Sequence, residues 1–319
     1  MLLEIFDYLI KGYLIKMKAS LFTLGTAQLG MEYGLTNRVG KPDINQAFKL
    51  IDEAILQKIL SFDTAAGYGN SEAILGKYFY QNPGIKPNII TKLKPLTLDM
   101  NTSHEEAIKQ VDDSLNLSLE RLKIDSINTL MFHRFENLIW SNCFLLNYLK
   151  KHSYVKKIGV SVDFPEDAIS AIKQDGISAV QLPTNLLDFR YINKGVFDLA
   201  EKKGKQIYIR SIYLQGLILM EIDEIPYYLK EAKQLIKNYK RFCTEHGISS
   251  LKELTFSLLK KYLTGTNQIV IGCETIDQLK ENVKIIRKAK ILEKNLKSQI
   301  FEEHINLPDH ILSPFLWRK

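Results

Sequence analysis

Cysteine is scarce in this sequence. Cys143, Cys243 and Cys273 are its whole complement in 319 residues, and they lie far apart. None pairs at the spacing of a zinc site, and three separated thiols make no disulfide framework. A metal centre is therefore not expected, and a reducing cytoplasm suits the chain. Long apolar runs are missing too. Residues 1–16, MLLEIFDYLIKGYLIK, come nearest, but Glu4, Asp7 and Lys11 interrupt them. No basic segment precedes them and no small-residue cleavage site follows, so they do not read as a signal peptide. They are also too short and too charged to cross a bilayer. We read them as an N-terminal extension ahead of Met17, either an upstream start or a short amphipathic addition, and a chain beginning at Met17 is expected to keep its fold.

A concentrated basic block is a third absence. The net charge is +7 and the pI near 9.0, yet the lysines are scattered through helix-like segments such as KEAKQLIKNYKR, without interleaved aromatics. Such faces are solvated, and anionic small molecules gain more from them than nucleic acid does. No linker-like or low-complexity stretch divides the chain. With 45% hydrophobic and 25% charged residues, residues 17–319 are expected to form one domain with a sizeable core.

What is present is an alternation of two periodicities. Short β-branched runs predict eight strands, at 22–26, 59–65, 88–93, 127–133, 156–162, 179–185, 206–212 and 268–273. Between them lie helical stripes such as Ile44, Ala47, Phe48, Ile51 and Ile55, or Ile108, Val111, Leu115 and Leu122. Ser103 with Glu106, and Thr275 with Gln278, have capping-box spacing. Strands that alternate with helices imply a parallel sheet, and eight such units in about 250 residues match a closed (β/α)8 TIM barrel. The fold class is thus α/β, a single barrel. Residues 213–250 exceed the regular spacing and must hold an inserted loop or helix between strands seven and eight. A C-terminal tail follows.

Such a barrel carries chemistry at the carboxyl ends of its strands. Polar residues there include Asp63, Lys92, His133, Ser161, Gln181, Asn185, Arg210 and Ser211, with Tyr68 on the loop leaving strand two. Each alone has a structural explanation. Together, a Lys, an Asp, a His and a Tyr from three adjacent strands describe an acid–base site suited to protonating a carbonyl oxygen as hydride reaches its carbon. A free phenol, with pKa near ~10, is a poor acid at neutral pH, and an adjacent ammonium favours its phenolate. Lys92 supplies the ammonium beside Tyr68, Asp63 offsets the cost of burying it, and His133 orients the carbonyl. In FDTAAGYGNSE the small residues Ala65, Ala66 and Gly67 let the turn carry Tyr68 over the pocket.

At this point the chain resembles the aldo-keto reductase family, from about Phe22 to about Asn282. The family's Asp, Tyr, Lys and His are matched by Asp63 and Tyr68 in FDTAAGYGNSE, Lys92 in IITKL and His133 in LMFHR. SLNLSLERLKIDSINTLMFHR, KKIGVSV, VQLPTNLLDFR, RSIYLQGLI and IVIGCETIDQLKEN follow in order. The resemblance implies a nicotinamide cofactor bound without a Rossmann domain, NADPH with NADH as the alternative, and a small-molecule carbonyl substrate. It also implies cofactor contacts at Gly25, Thr26, Asp63, Ser161 and Gln181. Arg210 takes the place of a stacking aromatic, and Val162 that of a common Asn. Ser211, Leu214, Gln215 and Gly216 match the loop over the pyrophosphate. Gly272, Cys273 and Glu274 match the adenosine-phosphate contact at a helix amino terminus, and Gln278, Glu281 and Asn282 the adenosine side. The cationic pair that many relatives use for a 2'-phosphate is not matched. The start GTAQLGMEYGLTN is similar to that of bacterial reductases of sugar-derived aldehydes.

Two other function classes are compatible with parts of the chain. A non-catalytic, cofactor-binding regulatory subunit of the same fold would show no turnover. A nucleic-acid binder would show salt-dependent affinity, because phosphate contacts release counterions.

Overall fold

A computed structural model describes residues 20–317 of the chain; the extension assigned to residues 1–16 lies outside them. The eight expected strands are present as β1 (Phe22–Gly25), β2 (Ser61–Asp63), β3 (Asn88–Lys92), β4 (Thr129–Phe132), β5 (Ile158–Ser161), β6 (Ile177–Pro183), β7 (Gln206–Arg210) and β8 (Gln268–Gly272). They pair in parallel in chain order, and β1 closes on β8. The fold is a (β/α)8 TIM barrel. Each expected strand ran one or two residues past the observed carboxyl end, and the sixth also began two residues late. The apolar pattern continues beyond the ladder because residues leaving a strand still pack under the loops.

Register brings the strand ends to one level. Gly25 is paired with Asp63 on one side and Gly272 on the other, Ser161 with Gln181, and Pro183 with Arg210. The barrel interior is filled by Ile90, Met131, Ala179, Tyr208 and Val270, so the site lies on a plugged floor rather than over a pore.

Ten longer helices cover the barrel and its flank: α1 (Ile44–Leu56), α2 (Ser71–Gln81), α3 (His104–Leu122), α4 (Phe135–Leu149), α5 (Pro165–Lys173), α6 (Val196–Lys202), α7 (Ala232–Glu245), α8 (Leu251–Leu259), α9 (Ile276–Lys288) and α10 (Lys294–Glu303). Capping differs in detail from expectation. The complete box belongs to Asp43 and Gln46 at α1. Ser103 accepts from the Glu106 N–H and Thr275 from that of Gln278, but the Gln278 side chain returns its bond one residue early, to the Glu274 N–H. Within α4, Ser141, Asn142 and Cys143 are left-handed, with φ of 46°, 57° and 61°, an interruption no glycine marks in the sequence.

The excess length at 213–250 is both loop and helix. Three 3-10 turns, Leu214–Leu219, Ile222–Glu224 and Tyr227–Leu229, precede α7. Leu235, Ile236, Tyr239 and Phe242 on α7 join Ile300, Ile311 and Leu312 of the tail in a second apolar core beside the barrel. That core carries the chain's last described residues back to the carboxyl rim. Among the described residues no helix is long and apolar enough to cross a membrane.

Candidate active site

Asp63 ends β2 and Lys92 ends β3, and their side chains meet where they are 3% and 1% exposed. The Lys92 ammonium donates to both Asp63 oxygens at 2.8 Å and to the Thr64 carbonyl at 3.0 Å. Burial alone would lower the lysine's pKa; Asp63, then Tyr68, outweigh it and hold the ammonium above its ordinary value. A buried pair survives only when its remaining lone pairs are satisfied, and Gln181 does this by donating its amide to Asp63 Oδ1 at 2.8 Å.

Tyr68 is held by its turn. The Ala66 N–H donates to the Lys92 carbonyl at 3.0 Å and the Tyr68 N–H to the Ala65 carbonyl at 2.9 Å. Beyond it, a Cβ on Gly69 (φ +56°) would lie 2.2 Å from the Gly30 carbonyl oxygen, and one on Gly30 would lie 1.9 Å from the Tyr68 carbonyl oxygen. Two backbones in such contact leave no room for side chains, which explains the glycine at both places. The Tyr68 ring centre lies 4.9 Å from Lys92 Nζ and 6.0 Å, edge to face, from the ring of His133.

His133 is the first residue beyond β4. Burial, then Lys92 and Arg210, lower its pKa to about 4, so the imidazole is neutral near pH 7. Its Nδ1 is buried without a hydrogen-bond partner. His304, packed against α7 through Tyr239, is likewise lowered to about 4, chiefly by burial. Both groups bind a proton more readily in the unfolded chain, whose histidines titrate near ~6.5. The stability they permit is therefore complete above about pH 6.5 and falls as pH drops from there toward 4. Melting temperatures across that window are expected to decline less steeply in His304→Gln than in the natural protein.

The other expected contacts separate into open and committed groups. Ser161 Oγ and Gln181 Oε1 accept no hydrogen bond from the described residues, a hydroxyl and an amide oxygen side by side. Thr26, fully buried, uses both its N–H and its hydroxyl on the Asp63 carbonyl, at 2.9 and 2.8 Å, so it anchors β2. Arg210 donates to the Val162 carbonyl at 3.0 Å, to Asp163 at 2.5 Å and to the Ser211 hydroxyl at 3.3 Å, which fixes its guanidinium plane. With Lys92 and Arg210 each paired to a carboxylate and His133 neutral, the pocket carries nearly balanced charge.

Leu214, Gln215 and Gly216 form a strained arch, with φ of 47°, 55° and 96°. Non-glycine residues in that region cost of order 1–3 kcal/mol each. The arch is clasped from the loop after β1: the Leu35 N–H donates to the Gln215 carbonyl at 2.9 Å, and Thr36 lies where a Cβ on Gly216 would stand. At the end of β8, Gly272 lies under the Gln28 amide, Glu281 is paired with Lys252 at 2.5 Å, and buried Asn282 accepts from the Tyr213 hydroxyl at 2.8 Å and donates to Cys273 Sγ at 3.7 Å. Glu274 stands at this end beside Gln278.

Two residues absent from the expected set belong to this rim. Asp163 holds Arg210, and Tyr33 on the β1 loop lies in the field of Tyr68, Arg210 and Lys92. Burial, then Tyr68, raise the Tyr33 pKa. The sole signal for Tyr33 in the sequence is its place before Gly34, whose φ is +107°.

Comparison with known proteins agrees with this geometry. The chain is 31% identical over 121 residues to the 6-dehydroglucose reductase of Novosphingobium aromaticivorans, a match that takes in 36% of this chain and only 38% of that relative's length. The structure of a glycerol dehydrogenase from Gluconobacter oxydans superposes with a TM-score of 0.69 at 22% identity, over 92% of this chain and 95% of that one, which shows a shared fold. A family model described as the aldo/keto reductase family matches residues 22–298. The protein is a member of the aldo/keto reductase family.

Proposed function

We infer that the protein is an NAD(P)H-dependent oxidoreductase that reduces an aldehyde or ketone, sugar-derived, to the alcohol, in the cytoplasm. The observation that carries this is the buried Asp63–Lys92 pair beneath Tyr68 and beside a neutral His133. Tyr68 donates its proton to the carbonyl oxygen, and Lys92 favours the phenolate that remains. Asp63 keeps Lys92 charged, and Gln181 keeps Asp63 in place. Neutral His133 offers its one N–H to the same oxygen. The polyhydroxylated compounds in the names of the two relatives support a sugar-derived substrate, and three free thiols support the compartment.

The donor set fits a nicotinamide nucleotide. Ser161 Oγ and Gln181 Oε1 complement a primary carboxamide, the Arg210 plane suits stacking, and the strained arch with the first turn of α9 suits a pyrophosphate. Bound there, a reduced nicotinamide supplies the hydride. The fit to a 2'-phosphate is poorer: Glu274 and Glu281 stand at the β8 end, and Lys252 is engaged by Glu281. Dissociation constants for NADPH and NADH are therefore expected to lie within about tenfold of each other, and Glu274→Lys should shift the ratio toward NADPH by about tenfold. A ratio unmoved by that substitution would place the ribose elsewhere.

Purified protein given a panel of aldehydes, ketones and sugar nucleotides with each reduced nucleotide tests the reading. Oxidation of the nucleotide matched by alcohol formation is the expected result. Nucleotide binding without turnover of any carbonyl would make the chain a non-catalytic subunit.

A further inference from the structure

Glu72 is a buried carboxylate that takes no part in the acid–base set. It is the second residue of α2 and is 1% exposed, as hidden as Lys92. Its Oε1 accepts from the Thr91 hydroxyl at 2.7 Å, while its Oε2 has no hydrogen-bond partner. Arg121, in the last turn of α3, stops with Nη1 3.7 Å from that oxygen. A guanidinium and a carboxylate ordinarily close to about 2.7–2.9 Å. Here the same Nη1 donates instead to the Ala66 carbonyl, at 3.4 Å. A fold that needed only the ion pair would close it; this arginine is shared between a buried charge and the backbone two residues before Tyr68.

That backbone has little else to steady it. Ala65 and Ala66 carry single methyl groups and Gly67 carries none, and the segment passes from buried at Ala65 to exposed at Gly67. A Cβ on Gly67 would meet its nearest side-chain atoms at 3.8 Å, on His133, and at 4.0 Å, on Pro95, so no side chain wedges the turn. Ala66 is held by its main chain on both sides. Its N–H reaches the Lys92 carbonyl at 3.0 Å, and its C=O faces Arg121. The point from which Arg121 reaches is fixed as well, because α2 and α3 touch through main chain: a Cβ on Gly76 would lie 2.0 Å from the Arg121 carbonyl oxygen.

We propose that Arg121, set by Glu72, is a positioning residue for the proton donor: it tethers the Ala66 carbonyl and so keeps the Tyr68 phenol in register with Lys92. The proposal rests on the carbonyl-reductase reading above, with Tyr68 as the acid. Neither Arg121 nor Glu72 touches the reacting atoms. Thr91 immediately precedes Lys92 on β3. The path from Thr91 through Glu72 and Arg121 to Ala66 therefore starts on the strand that carries the ammonium and ends on the turn that carries the phenol. It fixes the distance on which the attraction between the two depends. Misplacing a reacting group by about 1 Å costs up to ~10²-fold in rate.

Arg121→Met is expected to lower the single-turnover rate at saturating carbonyl by about 10- to 100-fold, while KM and the dissociation constant of the nucleotide stay close to their natural values. Arg121→Lys should recover part of the loss, since an ammonium donates to the same carbonyl without the guanidinium's fork. In a Tyr68→Phe background, Arg121→Met should cost nothing further, because it acts through the phenol. A purely structural ion pair would instead lower the melting temperature, leave the rate of the folded protein unchanged and act equally in both backgrounds; that result overturns the proposal. Removing the arginine alone strands a buried carboxylate, so Arg121→Met is also combined with Glu72→Gln. The combined variant should melt above Arg121→Met yet keep the loss of rate, and recovery of rate along with stability overturns the proposal. If the natural protein turns over no carbonyl, the reductase reading fails, and amide hydrogen exchange decides the tether by itself. Exchange across residues 66–68 should quicken about tenfold in Arg121→Met while Ile90 and Thr91 keep their protection; unchanged exchange across the turn overturns the tether.

Discussion

Tyr68→Phe is expected to lower the rate constant for carbonyl reduction by ~10²- to 10⁴-fold, the usual worth of a general acid, with nucleotide affinity nearly unchanged. The substitution removes one hydroxyl. It keeps the ring that packs edge-on to His133, and it leaves untouched the backbone contacts that shape the turn, since Gly30 and Gly69 touch main chain. Stopped-flow measurement at saturating reduced nucleotide separates the chemical step from binding. A near-native rate would mean that the proton comes from elsewhere, and His133, neutral and beside the phenol, would be the next donor to examine.

The second large effect is expected from Lys92→Met, which should match or exceed that loss of rate by another route. Methionine removes the cation that favours the phenolate, and it strands the Asp63 carboxylate at a site 3% exposed with the Gln181 amide as its remaining side-chain donor. Breaking a buried pair by removing one partner costs about 3–5 kcal/mol, so denaturant unfolding should report a drop of that order. Tyr68→Phe should not show it. In the double variant the rate should fall far less than the two single losses multiplied together, because both substitutions interrupt one proton transfer. Multiplicative losses would show that Lys92 acts independently of Tyr68, and Asp63→Asn would then be the variant to compare.

How far a residue's place was legible beforehand depended on what determines that place. Asp63, Lys92 and Ser161 stand at the ends of period-two apolar runs, and a parallel barrel needs nothing more to bring strand ends to one rim. His133 fell inside the expected fourth strand but sits one residue past the ladder; it stands at the carboxyl rim all the same, and the boundary was misplaced because pairing ends before the apolar pattern does. Gln181 and Arg210 were located correctly on β6 and β7, yet their partners Asp63 and Asp163 are set by which side chains turn toward each other across the mouth, and no periodicity encodes that. Tyr33 was invisible for a related reason. It reaches the rim because a loop of 27–43 is clasped to an arch from 214–216, and the left-handed Leu214 and Gln215 that form the arch are residues whose type argues against that backbone.

The second core has a consequence for how the chain is made. Phe189, which follows β6, stacks on Phe301 of α10 at 4.7 Å and on His304 at 4.1 Å, and Tyr239 meets His304 Nδ1 at 2.9 Å. On the ribosome β8 emerges before these partners, and domains begin folding as soon as their elements are available. The barrel is therefore able to close on itself while α7, already in one core with Leu251, Leu254 and Leu258 of α8, still waits for residues 294–312. Over that interval the nascent chain is a closed barrel with part of one flank uncovered, and a chain ending between β8 and α10 is expected to pair its strands yet expose apolar surface around Leu235, Ile236 and Phe242.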